Sequence, residues 1–156
     1  MNAVEKEQLG RGMEMKRHEA RQRALQALYQ IDVGKGETEA AIAHVLEDVS
    51  GPIEAGDWAY IRRLVHGTTE RLPEIDDILA SRVEGWHLDR LARVDLNVLR
   101  LAVYELLVES DVDVATIVDE AVELAKDFGT DESGKFVNGV LARVLPVVRQ
   151  DAEPDA

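Results

Sequence analysis

Cysteine is absent from this 156-residue sequence, so the protein can form neither disulfide bonds nor thiolate metal sites. No apolar run approaches the roughly 20 residues that a membrane-spanning helix needs. Residues 1–10 are polar and lack the apolar stretch of a secretory signal peptide. These absences predict a cytoplasmic protein that does not enter membranes.

Signatures of catalysis are missing as well. The four histidines are scattered, no two share a predicted helix at ligand spacing, and no HExxH motif occurs. The pair Gly34 and Gly36 follows a helical pattern rather than a strand, so it does not make a phosphate-binding loop. There is no GxSxG nucleophile motif. With 31 acidic residues, adjacent carboxylates arise by chance. We therefore predict a protein that is not an enzyme and needs no cofactor or metal.

The charge is unevenly distributed along the chain. The net charge of −13 argues at first against nucleic acid, because phosphates are bound by local positive charge. Residues 1–30, however, carry six basic and four acidic side chains, a balance of +2. The remaining 126 residues carry 12 basic and 27 acidic side chains, a balance of −15. Such a chain often binds with one surface and is solvated by another, so charge alone leaves RNA contact and simple solubility both open.

Apolar residues recur at helical spacing through almost the whole chain, and no segment alternates as a strand does. The spacing predicts an all-α fold of about seven helices. They are expected over about Met15–Val33, from Thr38 to near Gly51, from Asp57, after Pro73, over Leu88–Val108 and Val114–Phe128, and from Thr130 or Asp131 to Val148. The fifth segment is apolar nearly all round, which is typical of a helix at the centre of its domain.

The same patterns predict how the chain is divided. We expect a flexible segment over residues 1–14 and a disordered tail over residues 150–156. Residues 15–149 should form one helical domain with two packed subdomains, at about 15–85 and 86–149. The boundary follows the largest change of composition, near Gly85.

Four stretches of sequence carry a family resemblance. They run from His18 to Tyr29, ending in Ala-Leu-Tyr, from Val94 to Leu106, from Asp119 to Gly129, and from Lys135 to Leu141, which reads Lys-Phe-Val-Asn-Gly-Val-Leu. In this order and spacing they resemble the NusB family of bacterial transcription antitermination factors. The resemblance covers about Lys16–Val148, nearly all of the predicted helical part.

The resemblance implies a fold and a function. The fold is all-α, with two helical subdomains. The function is binding of the boxA element of ribosomal RNA leader transcripts as single-stranded RNA, jointly with NusE, a small-subunit ribosomal protein. That complex joins the RNA polymerase antitermination complex and prevents premature termination. Members of the family are monomers or dimers, so a homodimer stays open.

The family's basic region maps onto the predicted first helix. Arg17 and Arg21 lie one turn apart on one flank, where both could reach the same line of phosphates. Lys16 and Arg23 lie on the other flank of the apolar arc. The resemblance implies RNA contact by these four residues and by His18, and the alternative is a basic surface that only aids solubility.

Four further positions take their expected roles from the resemblance. Tyr29 is expected to stack on an unpaired RNA base, and the alternative is a buried structural tyrosine. Lys135 and Phe136 open the last helix and are implied at the RNA surface, although a phenylalanine there is more often part of the core. Asp95 matches a position that contacts NusE, and the alternative is a surface carboxylate near a helix start.

Two other functions compete with antitermination. One is a NusB-like RNA-binding module in another ribosomal RNA-processing context, such as the modules fused to some ribosomal RNA methyltransferases. No catalytic domain follows before Ala156, which argues against that alternative. The other is a helical protein-interaction module that binds no RNA. Salt dependence separates it, because phosphate contacts make affinity fall steeply as salt rises.

Overall fold

The computed structural model describes residues 3–83 and 87–149, with side chains from residue 17 onward. This part of the chain contains helices and no strand, which confirms the predicted all-α fold. The seven α-helices are α1 (Ala3–Gly34), α2 (Thr38–Val45), α3 (Ala55–Glu70), α4 (Leu72–Arg82), α5 (Arg93–Val108), α6 (Val114–Phe128) and α7 (Asp131–Val148). A short 3-10 helix, Leu88–Arg90, precedes α5.

Several helix boundaries differ from those predicted. The helix α1 begins at Ala3 rather than near Met15, and α2 ends at Val45 rather than near Gly51. The side chains of residues 1–16, and residues 84–86 and 150–156 altogether, lie outside the described residues. The flexible segment over residues 1–14, the boundary near Gly85, the two subdomains and the disordered tail therefore stay predictions.

Local chemistry explains where the helices start and stop. The side chain of Glu37 accepts hydrogen bonds from the backbone N–H groups of Glu39 and Ala40, so it caps the start of α2. At the start of α7, Thr130 and Ser133 form a reciprocal capping box. The helix α6 spans the predicted residues and ends at Phe128, with Gly129 as its C-cap.

The helix α5 is the centre of the molecule. It packs against α1, α3, α4, α6 and α7, and every residue from Leu96 to Leu106 is buried. A fully buried leucine or valine side chain stabilises a fold by roughly 1.5–3 kcal/mol relative to an exposed one. This confirms the prediction that the segment apolar on all sides is the central one.

Close contact between α3 and α5 depends on a glycine. A Cβ atom placed on Gly67 would overlap the ring of Tyr104. The side chain of Tyr104 is fully buried in α5, so it has little room to move aside. Gly67 therefore sets how near these two helices approach.

A polar network joins α1, α4 and α5. Arg93 donates hydrogen bonds of 2.6 and 2.8 Å to the Asp32 carboxylate, and Asn97 donates a third of 3.0 Å. Arg100 makes two hydrogen bonds of 2.9 Å to Asp76. Burial alone would raise the pKa of Asp32, but the hydrogen bonds and charges of its neighbours outweigh burial and lower it. Asp32 is therefore a charged anchor between the helices.

The end of α7 is fastened to the end of α5. The guanidinium of Arg149 donates hydrogen bonds to the carbonyl oxygens of Leu106 at 3.1 Å and Val112 at 2.8 Å. It also donates to the carbonyls of Glu105 at 3.3 Å and Glu109 at 3.0 Å. Those carbonyls belong to the last turn of α5 and the loop after it, where helices leave acceptors unsatisfied.

Within the described residues, none of the helices combines the length and hydrophobicity of a membrane span.

Candidate nucleic-acid interface

Arg21 does not lie on the surface where the sequence places it. Only 2% of the residue is exposed, because α5 and α6 cover it. Its Nε and Nη2 atoms donate to Glu105 Oε1 at 3.1 and 3.0 Å, and its Nη1 lies 3.9 Å from Glu120. Burial alone would lower the pKa of Arg21, but the adjacent Glu105 carboxylate raises it, so the residue stays charged within this pair. The prediction that Arg21 contacts RNA from an exposed flank is therefore wrong.

Arg23 is also engaged within the protein. Its Nη1 atom donates to Asp48 Oδ1 at 2.6 Å and to the Val45 carbonyl at 3.0 Å. Its Nη2 atom lies 3.5 Å from a carboxylate oxygen of Glu19. The half-buried Arg23 thus fastens α2 to α1. Its RNA contact stays a prediction, and RNA would have to compete with these partners for the guanidinium.

His18 joins α1 to α6. Its Nδ1 atom donates to Glu120 Oε2 at 2.6 Å, and Gln22 donates to its Nε2 atom at 3.3 Å. Asp127 lies 4.0 Å from the same Nε2 atom. Two of these three neighbours are carboxylates, so His18 is poorly placed for a phosphate contact, and its RNA contact stays a prediction. The side chain of Lys16, the neighbouring candidate, lies outside the described residues.

Arg17 is exposed and lies against an aromatic ring. Its guanidinium carbon is 5.7 Å from the centre of the Tyr60 ring on α3. A second guanidinium, that of Arg63, lies 5.2 Å from the same ring. Sequence reasoning missed Tyr60 and Arg63, although the run Tyr-Ile-Arg-Arg at residues 60–63 is the only place where two arginines are adjacent.

Tyr29 lies at a groove of about 590 Å³ between α1, α2, α5 and α6. It is 39% exposed, so it is not the buried structural tyrosine that the sequence left open. The groove has apolar walls that include Val94 and Phe128, and the amides of Gln26 and Gln30 line it too. An aromatic side chain, apolar walls and amides together suit a planar base, which needs a stacking surface and polar groups at its edge.

Lys135 and Phe136, near the start of α7, differ in burial. Lys135 is exposed, with its Nζ atom 3.4 Å from Glu132 one turn before it. Phe136 is half-buried and packs against the hydrophobic core. The phenylalanine therefore combines a core contact with a partly exposed face, and the RNA contacts of both residues stay predictions.

Asp95 lies in the first turn of α5, where the helix dipole favours a negative charge. The residue is half-buried, and its Oδ1 atom is buried with no hydrogen-bond partner. Its contact with NusE stays a prediction. Among the described side chains, no group of three or more histidines and carboxylates is arranged to hold a metal ion.

Comparisons with known proteins agree with this arrangement. Residues 18–146 match the NusB family. The transcription antitermination protein NusB of Geobacillus kaustophilus is 49% identical over 136 residues, which are 87% of this chain and 100% of that protein. NusB of Bacillus subtilis is 43% identical over 136 residues, 87% of this chain and 99% of that protein.

Two solved structures are similar to most of the chain. NusB of T. maritima superposes with a TM-score of 0.80 at 37% identity, covering 87% of this chain and 95% of that one. The second is a crystal structure of the antitermination factors NusB and NusE in complex with dsRNA. It superposes with a TM-score of 0.78 at 28% identity, covering 85% of this chain and 98% of that one.

Proposed function

The chain belongs to the NusB family, and from this we propose that it is a non-enzymatic transcription antitermination factor. It binds boxA-type RNA of ribosomal RNA leader transcripts together with NusE, in the cytoplasm, as part of the RNA polymerase antitermination complex. The observation that carries the proposal is the family match over residues 18–146, which covers about half of α1 and nearly all of the other helices. A structural relative that holds both NusE and dsRNA supports the choice of partners.

The geometry favours a particular division of labour within the RNA surface. Exposed Arg17 supplies charge for a phosphate, and Tyr29 supplies a ring for a base. Lys16, Lys135 and Phe136 are kept as further contacts, whereas His18 and Arg23 are already paired with carboxylates. Arg21 is not among the proposed RNA contacts, because it is buried. RNA binding therefore depends on fewer cations than the sequence suggests.

A titration with and without NusE tests the function itself. The full chain is titrated with a boxA-like single strand and with a duplex of the same sequence. We expect tighter binding of the single strand when NusE is present, and affinity that falls as salt rises. A chain that binds neither RNA, at any salt and with NusE present, would be a protein-interaction module and would contradict the proposal.

Two substitutions separate stacking from charge. Tyr29→Ala should weaken RNA binding by about 1–3 kcal/mol with the salt dependence nearly unchanged, because a base loses its stacking surface. Arg17→Ala should instead lower the log–log salt slope by about 0.7, the value for one phosphate contact on a single strand. Val33→Ala is the matched control, since Val33 is another exposed apolar residue of α1. Equal effects of the Tyr29 and Val33 variants would remove Tyr29 from the RNA surface.

The NusE contact is tested by reversing one charge. Asp95→Lys should weaken NusE binding, because a basic ribosomal protein would meet a positive charge in place of a negative one. Asp119→Lys, on the exposed face of α6, makes the same change elsewhere on the acidic body. Loss of affinity in both variants alike would indicate general electrostatics rather than a contact at Asp95.

A further inference from the structure

We propose that Arg63 of α3 is a second phosphate-binding residue and that it acts together with Arg17 across the ring of Tyr60. We call Arg17, Tyr60 and Arg63 the arginine clamp. The inference rests on the proposed function, since it adds to RNA binding a surface on α3 that the resemblance to NusB does not indicate.

The clamp brings two charged groups from different helices to one ring. The guanidinium carbons of Arg17 and Arg63 lie 5.7 and 5.2 Å from the centre of the Tyr60 ring. Both distances are within the range at which an aromatic face attracts a cation. Long flexible side chains normally lose rotamer freedom when they bind a ligand. Holding both guanidiniums on one ring removes part of that loss before RNA arrives.

The nearly buried Glu109 holds the exposed Arg63 side chain in place. Its Nε and Nη2 atoms lie 3.0 and 2.9 Å from Glu109 Oε1. The side chain of Glu109 is only 8% exposed, whereas that of Arg63 is 56% exposed. A guanidinium carries five N–H donors, so the pair with Glu109 leaves most of them for a ligand. The carboxylate thus fixes the orientation of Arg63 from the inside while the outer edge of the guanidinium faces solvent.

Tyr60 is a positioning residue. Burial, together with the charges of Glu105 and Glu109, outweighs Arg21 and Arg17 and raises the pKa of Tyr60 to about 12. The phenol is therefore neutral at any pH used for RNA binding, and its ring face is what the guanidiniums contact. Its hydroxyl is buried and has no hydrogen-bond partner, so the ring alone accounts for the role.

The clamp fits a phosphate chain better than an acidic protein. Arg17 belongs to the helix that carries the expected RNA contacts, so Arg63 extends that surface sideways from α1 to α3. Guanidinium groups bind phosphate oxygens through paired, charge-assisted hydrogen bonds. The two guanidiniums share one ring, so both can contact phosphates of the same strand.

The neighbouring Arg62 provides a matched control. It is adjacent on α3, and its side chain is 55% exposed against 56% for Arg63. It too is paired with a carboxylate, since its Nη2 atom lies 2.6 Å from Glu39. Arg62→Ala and Arg63→Ala therefore remove the same charge from equally exposed positions, and only Arg63 belongs to the clamp.

The test is a set of titrations of the full chain with a boxA-like single strand at several salt concentrations. Arg63→Ala should weaken binding and lower the log–log salt slope by about 0.7, as expected for one lost phosphate contact. Arg62→Ala should leave the slope unchanged. Equal slopes and equal losses in the two variants would overturn the clamp.

A second variant excludes an indirect effect of Glu109. Removing Arg63 leaves the Glu109 carboxylate unpaired near the RNA, which alone could repel phosphates. In Arg63→Ala with Glu109→Gln, both charges are gone, and we expect the slope to stay low. Recovery of the wild-type slope would mean that Arg63 only masks Glu109, and the proposal would be wrong. Thermal unfolding of each variant checks that the helical fold is retained.

Further measurements test the ring and the kind of ligand. Tyr60→Leu should weaken RNA binding, and Tyr60→Phe should restore it, because phenylalanine keeps the ring face. If Arg63→Ala leaves RNA binding intact but weakens binding of polyglutamate, the clamp takes acidic peptide and the RNA inference fails. If wild-type chain binds no RNA, the proposed function fails; if it binds through Tyr29 but Arg63→Ala matches Arg62→Ala, only the clamp fails.

Discussion

Arg17 and Arg21 lie one helical turn apart on α1, at two positions with different surroundings. Arg21, where α1 packs against α5, is 2% exposed and held by Glu105. Arg17, where α1 borders α3, is exposed and lies against the Tyr60 ring. The residues are chemically identical, and their surroundings decide what each can do. A guanidinium buried against a carboxylate is committed to the fold, whereas an exposed guanidinium on an aromatic ring keeps donors for a ligand.

Substitution of the buried Arg21 should have the largest effect on stability. Arg21→Ala should destabilise the protein by about 3–5 kcal/mol, because it leaves the Glu105 carboxylate buried without its partner. Urea unfolding measures the change. Arg17→Ala removes the same charge one turn away and should change stability by no more than about 0.5 kcal/mol. Similar losses in both variants would mean that burial does not distinguish the two positions.

A second prediction concerns the contact between α3 and α5. Gly67→Ala should destabilise by about 1–3 kcal/mol, because the new methyl group overlaps the buried Tyr104 ring and forces α3 and α5 apart. Gly56→Ala is the control in the same helix, since nothing lies within 4 Å of its Cβ position. That variant should be neutral or slightly stabilising, as alanine favours helix. Thermal unfolding of the pair compares a packed and an open position directly.

Near the C-terminal end of α1, the carboxylate of Asp32 stabilises the fold. The lowered pKa of Asp32 means that its ionised form stabilises the fold, fully so above the ordinary range of aspartate. That stabilisation should disappear as the pH falls through the lowered pKa. In Asp32→Asn, the free energy of unfolding should therefore vary less with pH between about 5 and 2. Exposed Asp77→Asn should keep the wild-type profile, and a flattened profile in both variants would contradict the assignment.

Substitution of Tyr60, the ring that the exposed Arg17 contacts, should have the smallest effect on stability. Tyr60→Phe removes a hydroxyl that has no hydrogen-bond partner. Stability should change by no more than about 0.5 kcal/mol, and RNA affinity should be kept, because both guanidiniums contact the ring. A clear drop in melting temperature would show instead that the hydroxyl is bonded.

These environments differ in how well the sequence predicts them. The fold is largely predictable, because apolar spacing is a local property: α6 spans the expected residues, and α5 is central as its apolar surface indicates. The position of Arg21 is not local, since Glu105 lies 84 residues further along the chain. One signal was available. A charged residue within the apolar run of α5 must be paired if it is buried, as Glu105 is with Arg21 and Arg100 is with Asp76.

The site was only partly predictable for the same reason. Tyr29, which the family resemblance assigns to RNA stacking, is exposed on α1 beside a groove, and the stacking itself stays a prediction. The clamp, in contrast, depends on α3 lying beside α1, which no spacing within either segment reveals. Residues brought together by packing between helices are therefore the ones that sequence reasoning misses, whether they end up buried or exposed.

The four hydrogen bonds from Arg149 to carbonyls of Leu106, Val112, Glu105 and Glu109 affect the order in which the molecule can assemble. The ribosome synthesises α1 to α6 before it adds Arg149, so these carbonyls lack the arginine donors until then. The helices can begin to associate, because most of the buried surface belongs to residues made earlier. The junction of α5 and α7 can close fully only when Arg149 is free of the exit tunnel. A chain shortened just before Arg149 should therefore populate a partly open state, whereas one shortened just after it should not.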